Sequence, residues 1–417
     1  MVFKAWNHLR DIARIKNYIR SNRQSMIKRF SKKYKEEELD EMISIAKAQI
    51  KAEELFDKGF KMLINQDDLR FATPSIIGDY RAERILKQVG KTKVVDLCSG
   101  VGSQTISFAK QHKHVLAVEI DERKTKYALK NIKNLDLRNV TIIQGDIFKD
   151  EIIEIIKKYR PKVIFCDPAR KEKGHREEEI DLIIKILRTY SSITPNLIIE
   201  APPFINIRDL RKKLNENSIN PIIKSGFEAE YLSIEFKLRR LTLYFGQLKN
   251  YDYSIVELPE KNYLGVNIKD DKTDEEELEE VDKPLDYLIE PNPALTRASI
   301  IHALIPNANS RIKILEKGRN TILTTNTIIN DEKIRPFIEE YKVIFVKKTN
   351  NYTDSEVLEK LRENKAKYVV IKQSIKPEDY WRVRNYYEEK LKFEPNNKIL
   401  YLFYLKKQLI IAELIPK

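Results

Sequence analysis

The sequence predicts an α/β protein: a doubly wound domain on a mainly parallel sheet, with a helical segment before it and a smaller α+β region after it. Three observations predict this. From Lys93 to Glu200, short Val/Ile/Leu runs alternate with amphipathic stretches of helical period, the pattern of strands buried on both faces by packed helices. The first run, Val94-Val95-Asp96-Leu97, leads into Cys98-Ser99-Gly100-Val101-Gly102, a loop of small side chains that lets backbone N–H groups approach a ligand closely. The later runs end in Glu119, in Gly145-Asp146 and in Asp167-Pro168-Ala169-Arg170, and the carboxyl ends of strands are where open α/β sheets bind ligands.

Taken in order, residues 1–68 form a helical module. Its first 35 residues hold eleven Lys or Arg and one acid, Asp11. Leu9, Ile12 and Ala13 recur at helical spacing, as do Leu39, Met42, Ile43, Ala46 and Ile50, with Glu36 to Glu38 where acids suit a helix start. This module reads either as a cap packed on the next domain or as an arm that faces a polyanion. Residues 69–250 form the α/β domain. Thr73-Pro74 opens a helix that Gly90 ends. Strands are expected at 93–97, 115–119, 140–143, 163–166 and 197–200. Helices are expected at 104–110, 122–134, 152–159, 177–190 and 208–215, and a strand pair at 230–235 and 241–245.

Residues 251–283, with the acidic run Asp270–Asp282, read as a linker. Beyond it, helices are expected at 294–304, 331–340, 355–363 and 377–391. Strands are expected at 321–324, 343–346 and 368–371, with a hairpin at 398–414 turning near Lys406-Lys407.

The chain has 417 residues, a net charge of +14 and a pI of about 9.3, so a polyanionic partner is expected; the alternative is a Lys-rich surface kept for solubility. Cys98 and Cys166 are the only cysteines and the five His are scattered, which argues against a disulfide framework and against a metal site. No apolar run reaches membrane-span length, so no membrane association is expected and the protein reads as cytoplasmic.

The loop is not a dinucleotide fingerprint, because Thr105 stands where the third Gly belongs, and no Gly-Lys-Ser/Thr follows to make a P-loop. An acid at position 119 can take both hydroxyls of a ribose, and Asp146 can accept from an adenine amino group while Ile147 packs on the ring. Residues 93–245 thereby resemble the class I S-adenosylmethionine-dependent methyltransferases. Asp96 to Gly102 matches their first motif, with Cys98 in place of its usual first Gly, Glu119 matches the ribose acid and Gly145-Asp146 the adenine motif. Thr73-Pro74 with residues 98–106 is similar to the trimethylguanosine synthase group.

Over residues 65–415 the chain resembles a methyltransferase family with a C-terminal THUMP-like domain. That resemblance is carried by Ala72-Thr73-Pro74, Tyr80-Arg81-Ala82-Glu83-Arg84, Asp167-Pro168-Ala169-Arg170, Glu290-Pro291-Asn292-Pro293-Ala294-Leu295, Val370-Ile371-Lys372 and Lys376-Pro377-Glu378. The family splits the last region into a ferredoxin-like piece, 284–345, and the THUMP-like piece, 346–417.

The resemblance implies a Rossmann-like seven-stranded methyltransferase sheet with S-adenosyl-L-methionine as cofactor. The cofactor would be held by Asp96, Ser99, Gly100, Gly102, Gln104, Thr105, Glu119, Asp146 and Ile147. Asp167 and Pro168 would be the catalytic pair. By the chemistry of the residues themselves, Arg170 can stack on a base or bind phosphate, and Glu200 with Pro202, Pro203 and Phe204 reads either as a second substrate-contacting acceptor and aromatic at a strand end or as a rigid loop. Base-methylating relatives carry Asn/Asp-Pro-Pro-aromatic at the fourth strand; here Ala169 and Arg170 follow Pro168. The expected function is methyl transfer to RNA (tRNA or rRNA), with protein or small-molecule methylation and non-catalytic RNA binding as alternatives.

Overall fold

The computed structural model describes residues 8–169, 176–216, 221–268, 272–305, 311–318, 321–349, 353–372 and 377–416. Arg170 and Lys376 lie outside the described residues. The chain divides into two units: Met1–Glu230 with Arg240–Asp252, and Tyr231–Arg239 with Tyr253–Lys417.

The first unit opens with helices α1 (Leu9–Arg20), α2 (Glu36–Leu55), α3 (Gln66–Phe71) and α4 (Ser75–Val89). The doubly wound part follows as β1 (Lys93–Leu97), α5 (Ser103–Gln111), β2 (His114–Glu119), α6 (Glu122–Asn134), β3 (Val140–Gln144), α7 (Asp150–Tyr159), β4 (Val163–Cys166), α8 (Arg176–Tyr190), β5 (Leu197–Ala201) and α9 (Ile207–Glu216). After the short α10 (Pro221–Lys224) come β6 (Glu228–Ile234) and β7 (Lys237–Tyr244). The strand order is β3-β2-β1-β4-β5-β7-β6. The strands from β3 to β5 pair in parallel and β7 pairs antiparallel to β5. These are the expected seven strands, and they form part of a nine-stranded sheet. Its parallel strands β1, β2, β4 and β5 are buried almost throughout, which is why they read as unbroken apolar runs.

The N-terminal helices pack on this domain. Ile12, Met42, Ile45 and Ile64 share one core cluster with Val101, Ile106, Tyr127 and Ile132. Asn131, fully buried, accepts from the Leu63 N–H at 2.6 Å and donates to the carbonyls of Leu63 and Val101 at 3.1 and 3.0 Å. Residues 8–68 are therefore a cap as far as their apolar face goes. Asp11 is buried and accepts from Lys33 at 2.6 Å and from the Tyr34 hydroxyl.

In the second unit a hairpin of β8 (Tyr253–Leu258) and β9 (Asn262–Val266) lies where the sequence suggests a linker. Ser254, Ile255 and Val256 are buried on consecutive positions, so no alternation marks the strand. A short helix α11 (Asp274–Glu277) begins the acidic stretch. A seven-stranded sheet follows, ordered β11-β12-β10-β13-β16-β15-β14. Its strands are β10 (Tyr287–Pro291), β11 (Ile312–Glu316), β12 (Ile322–Thr325), β13 (Ile338–Lys348), β14 (Ala366–Lys372), β15 (Lys398–Tyr404) and β16 (Gln408–Leu414). Between them run α12 (Pro293–Ala298), α13 (Ile301–Leu304), α14 (Asp354–Glu363) and α15 (Pro377–Leu391).

Three expectations change here. The helix expected over 331–340 is absent: Pro336 sits in a 3-10 turn, Arg335–Phe337, and the chain then extends as β13. The helix expected over 294–304 breaks at Ser299, which takes a left-handed φ of 55°. Finally, β13 crosses position 345/346 and pairs with β10 on one side and β16 on the other, so one sheet carries both the 284–345 and the 346–417 segments.

Candidate active site

The loop after β1 is held open by its backbone. Cys98, Gly100 and Gly102 take φ values of 62°, 58° and 87°. A left-handed Cys costs about 1 kcal/mol or more, which is the physical reason a Gly is usual there. The Ser99 N–H donates to the Val118 carbonyl at 2.9 Å and the Gly102 N–H to the Ser99 carbonyl at 2.9 Å. A Cβ built on Gly100 would meet nothing within 4 Å, so the loop faces open space there.

Strand register then gathers the acids. Leu97 pairs with Val118 and Cys166, and Cys166 with Ile199, so Cys98, Glu119, Asp167 and Glu200 stand together at one edge of the sheet. Glu119 Oε2 accepts from the Gly100 N–H at 2.7 Å and Oε1 from the Asp121 N–H at 2.9 Å, which fixes the carboxylate beside the loop. The Gly145 N–H donates to the Glu119 carbonyl at 2.9 Å, so the β3 turn is tied to the same strand end. Asp146 Oδ1 accepts from the Phe148 N–H at 2.9 Å, and the Ile147 carbonyl accepts from the buried Tyr190 hydroxyl.

Asp96, Gln104 and Thr105 point inward. Asp96 is fully buried and accepts from the Thr105 hydroxyl, while its Oδ1 has no hydrogen-bond partner. Burial above all, and then the nearby Asp167 and Glu119 charges, raise its pKa from 3.8 to about 7, against the lowering effect of Thr105 and Arg81. Gln104 donates to the Gly78 carbonyl at 3.3 Å and accepts from Arg81. The Ser99 hydroxyl is also buried without a partner. The two cysteines meet beneath the loop: the Cys166 thiol is pushed well up, first by its hydrogen bond with Cys98 and then by burial, and neither cysteine is in a disulfide.

Arg81 was not read as functional from the sequence. Its side chain, 1% exposed, donates to Glu200, to Gln104 and to Thr242, and its guanidinium lies 4.7 Å from the Phe165 ring centre. Glu200 is thus taken up by Arg81 inside the fold and is not an open acceptor, a correction to its expected place beside Pro202, Pro203 and Phe204. Those three remain at the β5 end, with Phe204 62% exposed. Arg84, one turn along α4, is paired in the same way with Glu228 and Glu230. The signal in the sequence was two Arg three residues apart on a helix face otherwise buried through Ile77, Ala82 and Ile85.

Asp167 and Pro168 follow β4 and are half-buried, between the loop and the Pro202 turn. Among the described residues no group of His, Cys, Asp or Glu could hold a metal ion, and no helix is long and apolar enough to cross a membrane.

The fold and this strand-end arrangement are those of an α/β S-adenosylmethionine-dependent methyltransferase domain. Residues 91–247 match the family model described as RNA cap guanine-N2 methyltransferase. An uncharacterized RNA methyltransferase of Protochlamydia amoebophila is 27% identical over 140 residues, covering 33% of this chain and 28% of that one. An uncharacterized protein of Methanocaldococcus jannaschii is 30% identical over 125 residues, 26% of this chain and 48% of that one. The chain thus spans less than half the length of either relative. The crystal structure of a "putative methyltransferase" from Porphyromonas gingivalis W83 shares the fold over 91% of this chain and 90% of that one, with TM-score 0.59 and 17% identity.

The site's residues fit the class's cofactor. S-adenosylmethionine carries positive charge on sulfur and on its amino group, and the loop offers open space above acids and two buried polar atoms without partners, Asp96 Oδ1 and Ser99 Oγ. A cation above the loop favours ionised Asp96. Since the pKa of Asp96 in the fold is raised, its burial is best tolerated when it is protonated, and that contribution to stability is lost as pH rises from 3.8 through about 7. Cofactor affinity is expected to run the other way, increasing as pH passes about 7 with a proton released on binding. Calorimetry in buffers of different ionisation enthalpy measures this; an affinity flat from about pH 6 to 8, with no proton released, rules it out.

Proposed function

We propose that the protein methylates RNA, at a nitrogen of a base held beside Asp167-Pro168. The observation that supports it most is the place of Asp167: on the strand next to β1, after Cys166, which pairs with Leu97 just before the loop. The family model over residues 91–247 names RNA cap guanine-N2 as its acceptor class, and an exocyclic amino nitrogen is the kind of nucleophile such a site suits.

When bound, S-adenosylmethionine supplies an electrophilic methyl group on a sulfonium. The protein's own part is to position the acceptor and remove its proton. Asp167 accepts from the N–H of the attacking nitrogen, turning its lone pair toward the methyl, and takes up the proton directly or through water. Pro168 stiffens the turn that holds this carboxylate. Phe204, exposed beyond Pro202-Pro203, offers a ring on which a base can stack. Arg170, by the chemistry of its guanidinium, would stack on a base or bind phosphate. The net charge of +14 suits phosphate contacts, so binding to RNA should weaken steeply with salt. The THUMP-like resemblance of the C-terminal region adds a second place for RNA to bind; tRNA and rRNA are the proposed substrates, in the cytoplasm.

The test is transfer of labelled methyl from S-adenosylmethionine to total RNA, to protein and to small-molecule fractions. Label in RNA, lost on digestion with ribonuclease, is the expected result. Label only in protein or in small molecules would overturn the RNA reading. Failure of the cofactor to bind would overturn methyl transfer altogether and leave a non-catalytic RNA-binding protein.

A further inference from the structure

The Glu290-Pro291-Asn292-Pro293 and Val370-Ile371-Lys372 segments, separated by about eighty residues, are not used by the methyl-transfer site. In the second unit they meet. Glu290 on β10, Glu339 on β13 and Lys372 at the end of β14 line a cavity of about 220 Å³ with Phe236, Pro293 and Thr296. Lys372 Nζ donates to Glu290 Oε2 at 2.7 Å and to Glu339 Oε2 at 3.2 Å. The Tyr341 hydroxyl lies 3.2 and 2.6 Å from the same two oxygens. These contacts turn Oε2 of each carboxylate toward the lysine. Glu290 Oε1 accepts no hydrogen bond among the described residues, although a carboxylate has acceptor sites on both oxygens. The open oxygen of Glu290 on this wall favours N–H donors over phosphate or carboxylate ligands.

The aromatic wall is built separately. Glu235 and Phe236 form a turn in which both residues take left-handed φ values, 51° and 57°, a conformation that favours glycine. The Phe236 N–H donates to Glu257 Oε1 at 3.0 Å. Glu257 Oε2 in turn accepts from Asn292 Nδ2 at 2.7 Å. Asn292 is fully buried and also caps α12 through the Ala294 N–H at 2.8 Å. One short segment therefore supplies the acceptor Glu290 and, through Asn292 and Glu257, anchors the turn that carries the ring.

We propose that this cavity binds a guanine base, with Phe236 against the ring face and the Glu290 carboxylate accepting from N1–H and the N2 amino group. Guanine alone among the common bases presents two adjacent N–H donors on its Watson–Crick edge. Adenine and cytosine present a donor beside an acceptor, and uracil a donor flanked by acceptors, so each would place a lone pair against the carboxylate. A site that hydrogen-bonds in this way discriminates strongly against ligands lacking the partner. The base enters first and its phosphates stay outside, away from the two Glu. The inference does not depend on methyl transfer.

The full-length protein is titrated by calorimetry with guanosine, inosine, adenosine and uridine, and with a short single-stranded RNA holding one guanine and its inosine counterpart. Guanosine is expected to bind at least tenfold tighter than inosine, which lacks the N2 amino group, and adenosine and uridine more weakly still. Glu290→Gln is expected to remove that preference with an unchanged melting temperature, and Phe236→Ala to weaken all nucleosides alike. A guanosine site that persists in Asp167→Ala, where the acceptor place beside that residue is lost, separates this cavity from the active site. If the RNA pair shows the same guanine preference, the ligand is an unpaired guanine of RNA; if only the nucleosides do, it is a free guanine nucleoside. Equal affinity for guanosine and adenosine, a preference that survives in Glu290→Gln, or binding lost in Asp167→Ala but kept in Glu290→Gln would each overturn the proposal.

Discussion

Replacing Arg81 with Met is expected to destabilise the first unit by about 3–5 kcal/mol, the usual cost of removing one partner of a buried ion pair. The guanidinium and the Glu200 carboxylate are each 1% exposed, and Glu200 Oε2 already has no hydrogen-bond partner. Without Arg81, Glu200 keeps Thr242 at 3.4 Å, and Arg240 stands 3.8 Å from Oε2, too far for a hydrogen bond. Gln104 loses its acceptor role at the start of α5, directly after the loop. In a unit of this size the loss corresponds to a melting temperature lower by roughly 6–20 °C. The companion variant separates charge from packing: Arg81→Met with Glu200→Leu removes both charges at similar volume and is expected to recover most of the loss. A single variant that melts within about 2 °C of the parent would show that the pair is not the support described here.

Replacing Asp167 with Ala is expected to lower turnover about 100-fold while cofactor affinity changes by less than about threefold, since a group that orients an acceptor and takes its proton acts mainly in the transition state. Equal losses in turnover and cofactor affinity would place Asp167 on the cofactor instead. The same variant has a second readout, which reports on the Asp167 charge. The Asp167 charge helps to raise the pKa of Asp96, so its removal is expected to shift the pH midpoint of cofactor binding below about 7. Asp167→Asn, which keeps an acceptor oxygen but cannot take a proton, is expected to retain cofactor binding and to show the turnover loss with a changed pH profile.

The doubly wound part was legible because its signals are local. Strands buried on both faces have to be apolar throughout, and a loop that admits a ligand to the backbone has to be small, so β1 to β5 and the loop at Gly100 were placed to within a residue or two. The second unit was harder. A helix was expected over 331–340, whereas the backbone becomes β13, the strand that β10 and β16 flank. The hairpin β8–β9 was hidden by its unbroken burial beside a charged stretch. Tertiary pairing outweighed local preference in both places.

The sequence by itself determined the sheet, the loop and the order of acids along its edge, because each follows from residue type at a strand end. Only the tertiary structure decided which of those acids stay open. Glu119 stands beside the loop, held by the Gly100 N–H, whereas Glu200, an equivalent strand-end acid on paper, is closed off by Arg81 from a helix more than a hundred residues away. A buried carboxylate needs a counter-charge, and where that charge comes from depends on which helix packs over which strand, a relation that no local pattern in the chain records.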